Sequence, residues 1–369
     1  MADLTRGALM KGGGQGRAFR LLIATALFAV VASTGIARAA EPVTARVSLF
    51  SWPGYAFWYV AKEKNLVPEV NLDIQIIEDP YQSFALMSAG KLDVASSTAE
   101  YAPLASAEGN PVRLVANTNP SWGTDKIIVR PEIKSAADLK GKSVAVLEGG
   151  LTQIYMGIWL ENNGVSIKDV KFVNLIMDSA MASMLSGQVA GGEFWEPYGR
   201  NVLENLPGAK VMANSATPYW SKTGLLGDAM YMREGFIEQK NGAAALAMKA
   251  YFAGVKYWRE HPTESNKIIA KALGYTVADV EAIIGADGKP LKGGIVVYGL
   301  KDAGQFMGVI DGDPTMADLG QKHGQIKDHF DLTAEWWVKF GLIDKKPPFE
   351  GGVSLKPMQE LVASGYTAD

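Results

Sequence analysis

From residue 43 onward, short apolar segments alternate with amphipathic stretches, and after about 100 residues the pattern starts again. Such alternation is typical of strand–helix–strand units in an α/β protein. Ala89-Gly90-Lys91-Leu92 and Ser186-Gly187-Gln188-Val189 each separate a predicted helix from a short predicted strand, and Tyr101 and Tyr198 follow at the same distance. The sequence therefore predicts two related α/β lobes, each a mixed, mostly parallel sheet flanked by helices. Two unrelated segments that merely look alike are the alternative.

The last third of the chain changes character, because helical patterns follow one another there without intervening strands. We expect these helices to pack on the first lobe, since they cannot build a third strand–helix–strand unit. The chain must then cross between the lobes twice, at 123–129 and at 225–232, and paired crossings of this kind form a hinge. The predicted organisation is a signal peptide at 1–39, the first part of lobe I at 40–125, lobe II at 126–228, and the C-terminal helical part of lobe I at 229–369.

The N-terminal segment has the three parts of a secretory signal peptide. Four basic residues precede an uncharged apolar run at 21–36, and Ala37-Arg38-Ala39 follows as a small-x-small cleavage site. An uncleaved membrane anchor is the alternative, but the run is shorter than the roughly 20 apolar residues that span a bilayer. We therefore expect export to the periplasm and cleavage after Ala39 or Ala40.

Composition argues against several classes of protein. The full chain has a formal charge of −3, and residues 1–39 contain five Lys or Arg and one Asp, so the remainder carries −7. A nucleic-acid-binding protein needs a basic surface, which this charge does not provide. The absence of cysteine excludes disulfides and thiolate metal sites. His261, His323 and His329 lack metal-ligand spacing, and no nucleophile-elbow or phosphate-loop motif occurs. We expect a protein without metal or cofactor that is not an enzyme.

Four loops, at 51–55, 96–101, 148–153 and 193–198, leave predicted strands at their carboxyl ends, where open α/β sheets bind ligands. They are rich in aromatic, acidic and hydroxyl side chains and contain no Lys or Arg; Asp79 and Asp125 lie near by. Aromatic faces with carboxylates suit an ammonium, amidinium or guanidinium group. The candidate ligand-binding residues are Trp52, Tyr55, Tyr81, Ser97, Thr98, Glu100, Trp122, Glu148, Thr152, Glu193, Trp195 and Glu196.

Each of these residues also has an ordinary structural interpretation. An aromatic ring packs in a core, a hydroxyl at a helix start caps the helix, and most glutamates point to solvent. For Trp58 and Tyr59, inside a predicted helix, core packing is favoured.

Several segments carry a family resemblance. They are, in chain order, Phe50-Ser51-Trp52-Pro53-Gly54-Tyr55, Ala61-Lys62-Glu63-Lys64, Ala89-Gly90-Lys91-Leu92-Asp93-Val94, Asp138-Leu139-Lys140-Gly141-Lys142 and Phe194-Trp195-Glu196-Pro197. Together they resemble the nitrate/sulfonate/taurine branch of ABC-importer substrate-binding proteins over nearly all of residues 43–345. The resemblance implies a type II-like periplasmic-binding-protein fold, whose two lobes close over a small-molecule ligand. It also implies an inner-membrane ABC permease as partner, and a monomer fits that task.

The acidic and aromatic loops change the ligand that the resemblance implies. They favour a small nitrogenous solute, such as an amine, a guanidinium compound or a pyrimidine, with a sulfonate as the alternative. Two other functions stay open. One is an enzyme that makes the thiamine pyrimidine precursor on the same fold, and the chemistry of such relatives depends on histidine and a cysteine-rich iron site. The other is a sensor that passes its ligand to a membrane receptor.

Overall fold

Ten strands and fourteen helices are present in residues 41–367, the part of the chain that the computed structural model describes. The predicted signal peptide at 1–39 lies outside the described residues. The strands are β1 (Val43–Leu49), β2 (Val70–Ile76), β3 (Val94–Thr98), β4 (Val112–Pro120), β5 (Lys126–Val129), β6 (Ser143–Val146), β7 (Lys171–Asn174), β8 (Gly191–Phe194), β9 (Lys210–Asn214) and β10 (Gly227–Arg233). The helices are α1 (Phe57–Glu63), α2 (Pro80–Ser88), α3 (Ala102–Ala107), α4 (Leu151–Asn162), α5 (Met177–Ser186), α6 (Tyr198–Asn205), α7 (Pro218–Thr223), α8 (Glu234–Ile237), α9 (Ala243–Glu260), α10 (Pro262–Leu273), α11 (Val277–Ile284), α12 (Leu300–Phe306), α13 (Ile326–Phe340) and α14 (Lys356–Ala363).

The strands form two mixed sheets of five. The first sheet has the order β2-β1-β3-β10-β4, and the second sheet has the order β7-β6-β8-β5-β9. In each sheet four strands run in one direction and the fourth strand in the order, β10 or β5, runs antiparallel to both neighbours. The two sheets share one arrangement of strands, in which β2, β1, β3, β10 and β4 correspond in turn to β7, β6, β8, β5 and β9. The α/β class with two mixed, mostly parallel sheets is thereby confirmed.

In each sheet, the antiparallel strand comes directly after a strand of the other sheet along the chain. Strand β5 follows β4 but pairs in the second sheet, and β10 follows β9 but pairs in the first. The ranges near which the crossings were predicted, 123–129 and 225–232, contain β5 and most of β10, which follow the connecting segments directly. The connecting segments lie at 121–125 and 215–226, while the lobe limits at residues 125 and 228 stay predictions.

The two connecting segments are bonded to each other. The hydroxyls of Ser121 and Ser215 lie 2.5 Å apart, and the backbone N–H of Gly123 donates to Ser215 Oγ at 2.7 Å. Ser215 N–H in turn donates to the carbonyl of Asp125. The two connecting segments thus form one hydrogen-bonded unit.

Several of the C-terminal helices pack against the first sheet and its helices. Helix α9 lies on α1, β1 and β2, while α12 and α14 contact β4. Helix α9 approaches α1 so closely that a Cβ at Gly254 would lie 2.2 Å from the carbonyl oxygen of Phe57. Helix α13 begins only at Ile326, because Gly320 and Gly324 adopt positive φ angles of 99° and 69° that a helix does not allow. Within residues 41–367 no helix is long and apolar enough to cross a bilayer.

Asp93 joins three neighbouring strands of the first sheet. Its carboxylate, 3% exposed, accepts two hydrogen bonds from the Arg46 guanidinium of β1 at 2.7 and 2.8 Å and one from Arg233 of β10 at 2.6 Å. Burial acts to raise the pKa of Asp93, but the hydrogen bonds from the two arginines outweigh it, and the pKa is lowered. The carboxylate is therefore ionised and fully paired.

Replacing Asp93 by Asn should leave two guanidinium groups without their anion. We expect Asp93→Asn to lower the free energy of unfolding by about 3 kcal/mol, as for the loss of one partner of a buried ion pair. The measurement is urea denaturation at neutral pH. The matched control is Asp169→Asn, whose partner Lys140 and own side chain are about half exposed; it should cost less than about 1 kcal/mol. Equal effects would contradict the role given to Asp93.

Candidate functional site

The register of the first sheet places three polar side chains in a row. Asp228 of β10 lies opposite Thr98 of β3 on one side and Asn119 of β4 on the other. Because β10 is antiparallel, its N-terminal end lies beside the carboxyl ends of β3 and β4. The row therefore stands at the edge of the sheet where α/β proteins bind ligands.

Asp228 is held by donors from two loops and a strand. Its Oδ2 atom accepts hydrogen bonds from Trp52 Nε1 at 2.9 Å and Asn119 Nδ2 at 3.1 Å, and Tyr55 also hydrogen-bonds to the carboxylate. Gly54 lies next to this carboxylate, and a Cβ at Gly54 would be 2.7 Å from Asp228 Oδ2. The glycine is needed so that the loop carrying Trp52 and Tyr55 can approach the carboxylate.

Burial raises the pKa of Asp228 to about 7, although the hydrogen bonds from Trp52, Tyr55 and Asn119 act to lower it. The nearby charge of Asp125 adds to the rise. Asp228 is thus a carboxyl group whose ionised form is made costly by its burial. A positive charge placed beside it would restore the ionised form.

The opposite wall comes from the second sheet. Helix α4 begins at Leu151 after Gly149-Gly150, and Thr152 Oγ1 closes the turn by accepting from Leu147 N–H at 2.6 Å. Leu151 N–H reaches across to Thr98 Oγ1 at 3.4 Å. A Cβ at Gly150 would lie 2.4 Å from the Tyr101 hydroxyl, so this glycine permits the close contact between the walls.

A small cavity lies between the two walls, with a volume of about 40 Å³. Among its lining residues the side chains with a formal charge are Asp125 and Asp228, and no Lys or Arg is present. We call this space the central cavity. It is lined by Phe50, Trp52, Tyr55, Thr98, Tyr101, Asn119, Ser121, Asp125, Leu147, Leu151, Thr152, Trp195, Leu226, Asp228 and Ile295.

Asp125 belongs to the first connecting segment and lies at the start of β5. The Ser121 hydroxyl donates to its Oδ2 atom. Burial raises the pKa of Asp125, while the hydrogen bonds from Ser121 and Glu193 oppose the rise. Like Asp228, Asp125 is a buried carboxyl group with few positive charges near it to stabilise its ionised form.

Five of the predicted residues line the central cavity: Trp52, Tyr55, Thr98, Thr152 and Trp195. Three of them come from the first sheet and two from the second. The loops chosen from the sequence therefore meet in space. Whether these residues bind a ligand stays a prediction.

Seven predicted residues lie outside the lining. Tyr81 is 37% exposed and donates from its hydroxyl to the Glu148 carbonyl, while the Glu148 side chain is exposed. Trp122 is half-buried and its backbone N–H donates to Gly294. Glu196 pairs with Lys126 at 2.5 Å.

The remaining three predicted residues, Ser97, Glu100 and Glu193, are buried behind the cavity walls. Glu100 Oε1 accepts from Leu226 N–H at 2.9 Å and so fixes the backbone of a lining residue. Burial raises the pKa of Glu100 to about 7.

The sequence interpretation missed Asn119 and Asp228. Asn119 lies in none of the four loops chosen from the sequence, and Asp228 lies in a range that was assigned to a crossing between lobes. One signal for Asp228 was present, since a single aspartate interrupts the apolar segment Leu225-Leu226-Gly227-Asp228-Ala229-Met230. A charge in such a run is costly unless it has partners or a function.

A family model described as NMT1/THI5 like matches residues 52–265 of this chain, which is more than half of it. A Brucella abortus (strain 2308) protein described as a binding protein is 27% identical over 209 residues, 56% of this chain and 63% of its own length. A Haemophilus influenzae protein assigned to thiamine biosynthesis is 33% identical over 155 residues, covering 41% of this chain and 49% of that protein. The chain thus spans less than two thirds of the length of these relatives.

Among solved structures, the alkanesulfonate-binding protein of Xanthomonas axonopodis pv. citri, bound to MOPS, has the same fold. The TM-score is 0.65 and the identity 20%, and the alignment covers 86% of this chain and 99% of that one. At this identity the likeness concerns the fold alone. The resemblance to substrate-binding proteins found in the sequence is confirmed at the level of family and fold.

The raised pKa of Glu100 predicts a pH-dependent stability. The folded protein holds the Glu100 proton up to about pH 7, whereas the ordinary pKa is 4.5, so stability falls as the pH rises through this window. Glu100→Gln keeps a side-chain oxygen that can accept from Leu226 N–H. It also removes the ionisation that lowers the stability of the folded protein as the pH rises. We expect its stability relative to wild type to increase by up to about 3 kcal/mol between pH 4 and pH 8. Glu335→Gln on the exposed side of α13 is the control. If Glu100→Gln and wild type differed in free energy of unfolding by the same amount at pH 4 and pH 8, the raised pKa given to Glu100 would be contradicted.

Proposed function

This chain belongs to the NMT1/THI5-like family, and we propose that it is an exported solute-binding protein that delivers a small nitrogenous solute to an ABC-importer permease. The observation that carries the proposal is the chemistry of the central cavity. It combines two buried carboxyl groups, Asp125 and Asp228, with aromatic walls and no basic lining residue.

The lining side chains offer acceptors and few donors. Trp52 and Asn119 direct their N–H groups to Asp228, and the Ser121 hydroxyl donates to Asp125. Thr98 hydrogen-bonds to Glu100. Asn119 Oδ1 is buried without a protein donor. The Tyr101 hydroxyl, which also lines the cavity, has no protein partner and can donate or accept. A ligand with N–H or ammonium donors of its own therefore suits most of these side chains.

An amine, a guanidinium compound or an aminopyrimidine meets this requirement, because each combines N–H donors with positive or partial positive charge. A sulfonate or nitrate presents acceptors alone and would face two carboxyl groups. Relatives that bind sulfonates are therefore a guide to the fold and the mode of capture, while the solute of this chain differs in charge.

The aromatic side chains give the ligand a face to rest on. Trp52 comes from the loop after β1 and Trp195 from the loop after β8, so each sheet contributes one indole to the lining. Trp195 is half-buried and its ring meets Tyr198 edge to face, with centroids 6.1 Å apart. A planar cation between indoles gains cation–π attraction in addition to its hydrogen bonds.

Capture requires the two sheets to move apart. The central cavity of about 40 Å³ is well below the roughly 300–1,000 Å³ of ordinary ligand pockets. The connecting segments at 121–125 and 215–226 are the places where such a motion bends the chain. A solute can contact both walls at the same time only in the closed form, so its binding stabilises that form.

The second candidate is an enzyme that makes the thiamine pyrimidine precursor, which is favoured by the name of the Haemophilus relative, a protein assigned to thiamine biosynthesis. The lining of the central cavity offers it little, since no histidine, lysine or cysteine is among its described residues. His329, which is buried, lies at hydrogen-bond distance from the Gly224 carbonyl, and burial lowers its pKa to about 4. We therefore propose binding without turnover.

The proposal is tested by calorimetric titration of the protein against three amines, three guanidinium compounds, two aminopyrimidines, methanesulfonate and nitrate. We expect saturable binding of a member of the nitrogenous group and no heat of binding from the two anions. The tightest solute is then incubated with the protein and analysed for products, none of which should appear. Tight anion binding, or conversion of the solute, would contradict the proposal.

Asp228 should decide the charge of the bound solute. Asp228→Asn keeps the shape and removes the charge, so we expect affinity for the tightest cation to fall at least about tenfold, the size of a lost charge-assisted hydrogen bond. The control is Asp344→Asn at an exposed position. Unchanged affinity in Asp228→Asn, with a normal thermal unfolding curve, would remove Asp228 from the site.

A further inference from the structure

Ser215 lies in the second connecting segment and is not among the residues that line the central cavity. Its side chain is buried, and its hydroxyl is bonded to the first connecting segment. The partners of that hydroxyl are Ser121 and the backbone of Gly123, which lie 94 and 92 residues earlier in the chain. A serine that only formed a turn would bond to its own neighbours. The hydroxyl of Ser215 therefore serves the contact between the two segments.

The hydrogen bonds around Ser215 have one direction, because they start from a donor that cannot rotate. The backbone N–H of Gly123 donates to Ser215 Oγ at 2.7 Å. Ser215 Oγ lies 2.5 Å from Ser121 Oγ, and the Ser121 hydroxyl donates to Asp125 Oδ2. Since the single hydrogen of Ser121 goes to Asp125, the hydrogen between the two hydroxyls comes from Ser215. This donor chain thus begins at the Gly123 amide and ends at the carboxylate of Asp125, which lines the central cavity.

The side chains of the donor chain are shielded from water. Ser215, Ser121 and Asp125 are 0%, 6% and 4% exposed. In such surroundings hydrogen bonds in a row polarise one another, and water does not easily replace a donor that is lost. A hydrogen bond donated to a carboxyl group favours its charged form. Removal of either hydroxyl should therefore make the ionised form of Asp125 less favourable.

Ser215 also holds the backbone of Asp125. Its N–H donates to the Asp125 carbonyl at 3.0 Å. The neighbouring residues Lys126 of β5 and Asn214 of β9 are paired in the second sheet, so this bond extends the antiparallel pairing by one residue. One serine thus supports Asp125 through its main chain and, by way of Ser121, through its side chain. The main-chain bond does not need the hydroxyl, so the two contributions can be separated by mutation.

We propose that Ser215 is a positioning residue of the solute site, because its hydroxyl orients Ser121 to donate to Asp125 and so favours the carboxylate that meets a cationic solute. The inference rests on the proposed function, since it requires a solute with positive charge. A carboxylate in surroundings of low polarity attracts a cation more strongly than one in water does. Ser215 thereby contributes to binding from the connecting segment, without lining the cavity.

The test separates the hydroxyl of Ser215 from the rest of the residue. Ser215→Ala keeps the backbone N–H and removes the hydroxyl, whereas Ser215→Thr retains a hydroxyl. Ser121→Ala removes the last donor before Asp125. The probe is methylguanidinium, replaced by the tightest-binding amine if wild type does not bind it, and affinity is measured by calorimetry at pH 7. Ser221→Ala is the control, since Ser221 is a buried serine of the same connecting segment that does not line the cavity.

We expect Ser121→Ala to bind about tenfold more weakly than wild type, and Ser215→Ala about fivefold, because a bond to a charged group is worth more than one between hydroxyls. Ser215→Thr and Ser221→Ala should stay within about twofold. In the double variant of Ser121 and Ser215, the second replacement should add less than about twofold, since residues that act through one another are not additive. Thermal unfolding shows whether each variant is folded, and Ser215→Cys, with its weaker donor, replaces Ser215→Ala if that one is not.

Binding by Ser215→Ala with the affinity of wild type would overturn the inference. Equal losses in Ser215→Ala and Ser215→Thr, or in Ser215→Ala and the control, would also overturn it, because the effect would then not follow this hydroxyl. Additive losses in the double variant would show that Ser215 does not act through Ser121. If wild type binds no cation, the proposed function fails and the inference fails with it. Normal wild-type binding together with an unaffected Ser215→Ala contradicts this inference alone.

Discussion

Strand β10 runs antiparallel between β3 and β4, in a sheet whose other strands share one direction. This pairing sets Asp228 between Thr98 and Asn119, and it brings Trp52 within hydrogen-bond distance of the carboxylate. Residues far apart along the chain become one polar row at a sheet edge. The Arg233–Asp93 ion pair at the other end of β10 helps to hold the strand in that register.

The arrangement makes the central cavity sensitive to charge. In surroundings of low polarity, an isolated carboxylate is unstable, and the same surroundings strengthen its attraction to a cation. Burial raises the pKa values of both Asp125 and Asp228. A positively charged solute offsets that cost, and an anion would add to it. Discrimination by charge therefore follows from burial together with the small number of donors.

The location of Asp125 connects this chemistry to the geometry of closure. Asp125 belongs to one connecting segment, and its partner Ser121 contacts Ser215 of the other. The group that we expect to contact the solute is thus part of the unit about which the two sheets would move.

The sequence predicted the class of fold because strand and helix patterns are local. The lining residues Trp52, Thr98, Thr152 and Trp195 were predicted for the same reason, since each lies at the carboxyl end of a strand or within six residues after it. Asp228 and Asn119 were missed because their position depends on which strands pair, and β10 pairs with strands that lie more than 100 residues earlier. Glu196 was assigned to the site because its partner Lys126, 70 residues away, cannot be identified from spacing.

The proposed function depends most on a donor-bearing, positively charged group of the solute lying between Asp228 and Asp125. A crystal structure of the protein with its tightest-binding nitrogenous solute tests this directly. We expect a ligand nitrogen within about 3 Å of a carboxylate oxygen of Asp228 or Asp125, with Trp52 and Trp195 against the faces of the ligand. A solute bound outside the central cavity, or one that turns an acidic group toward these two aspartates, would contradict it.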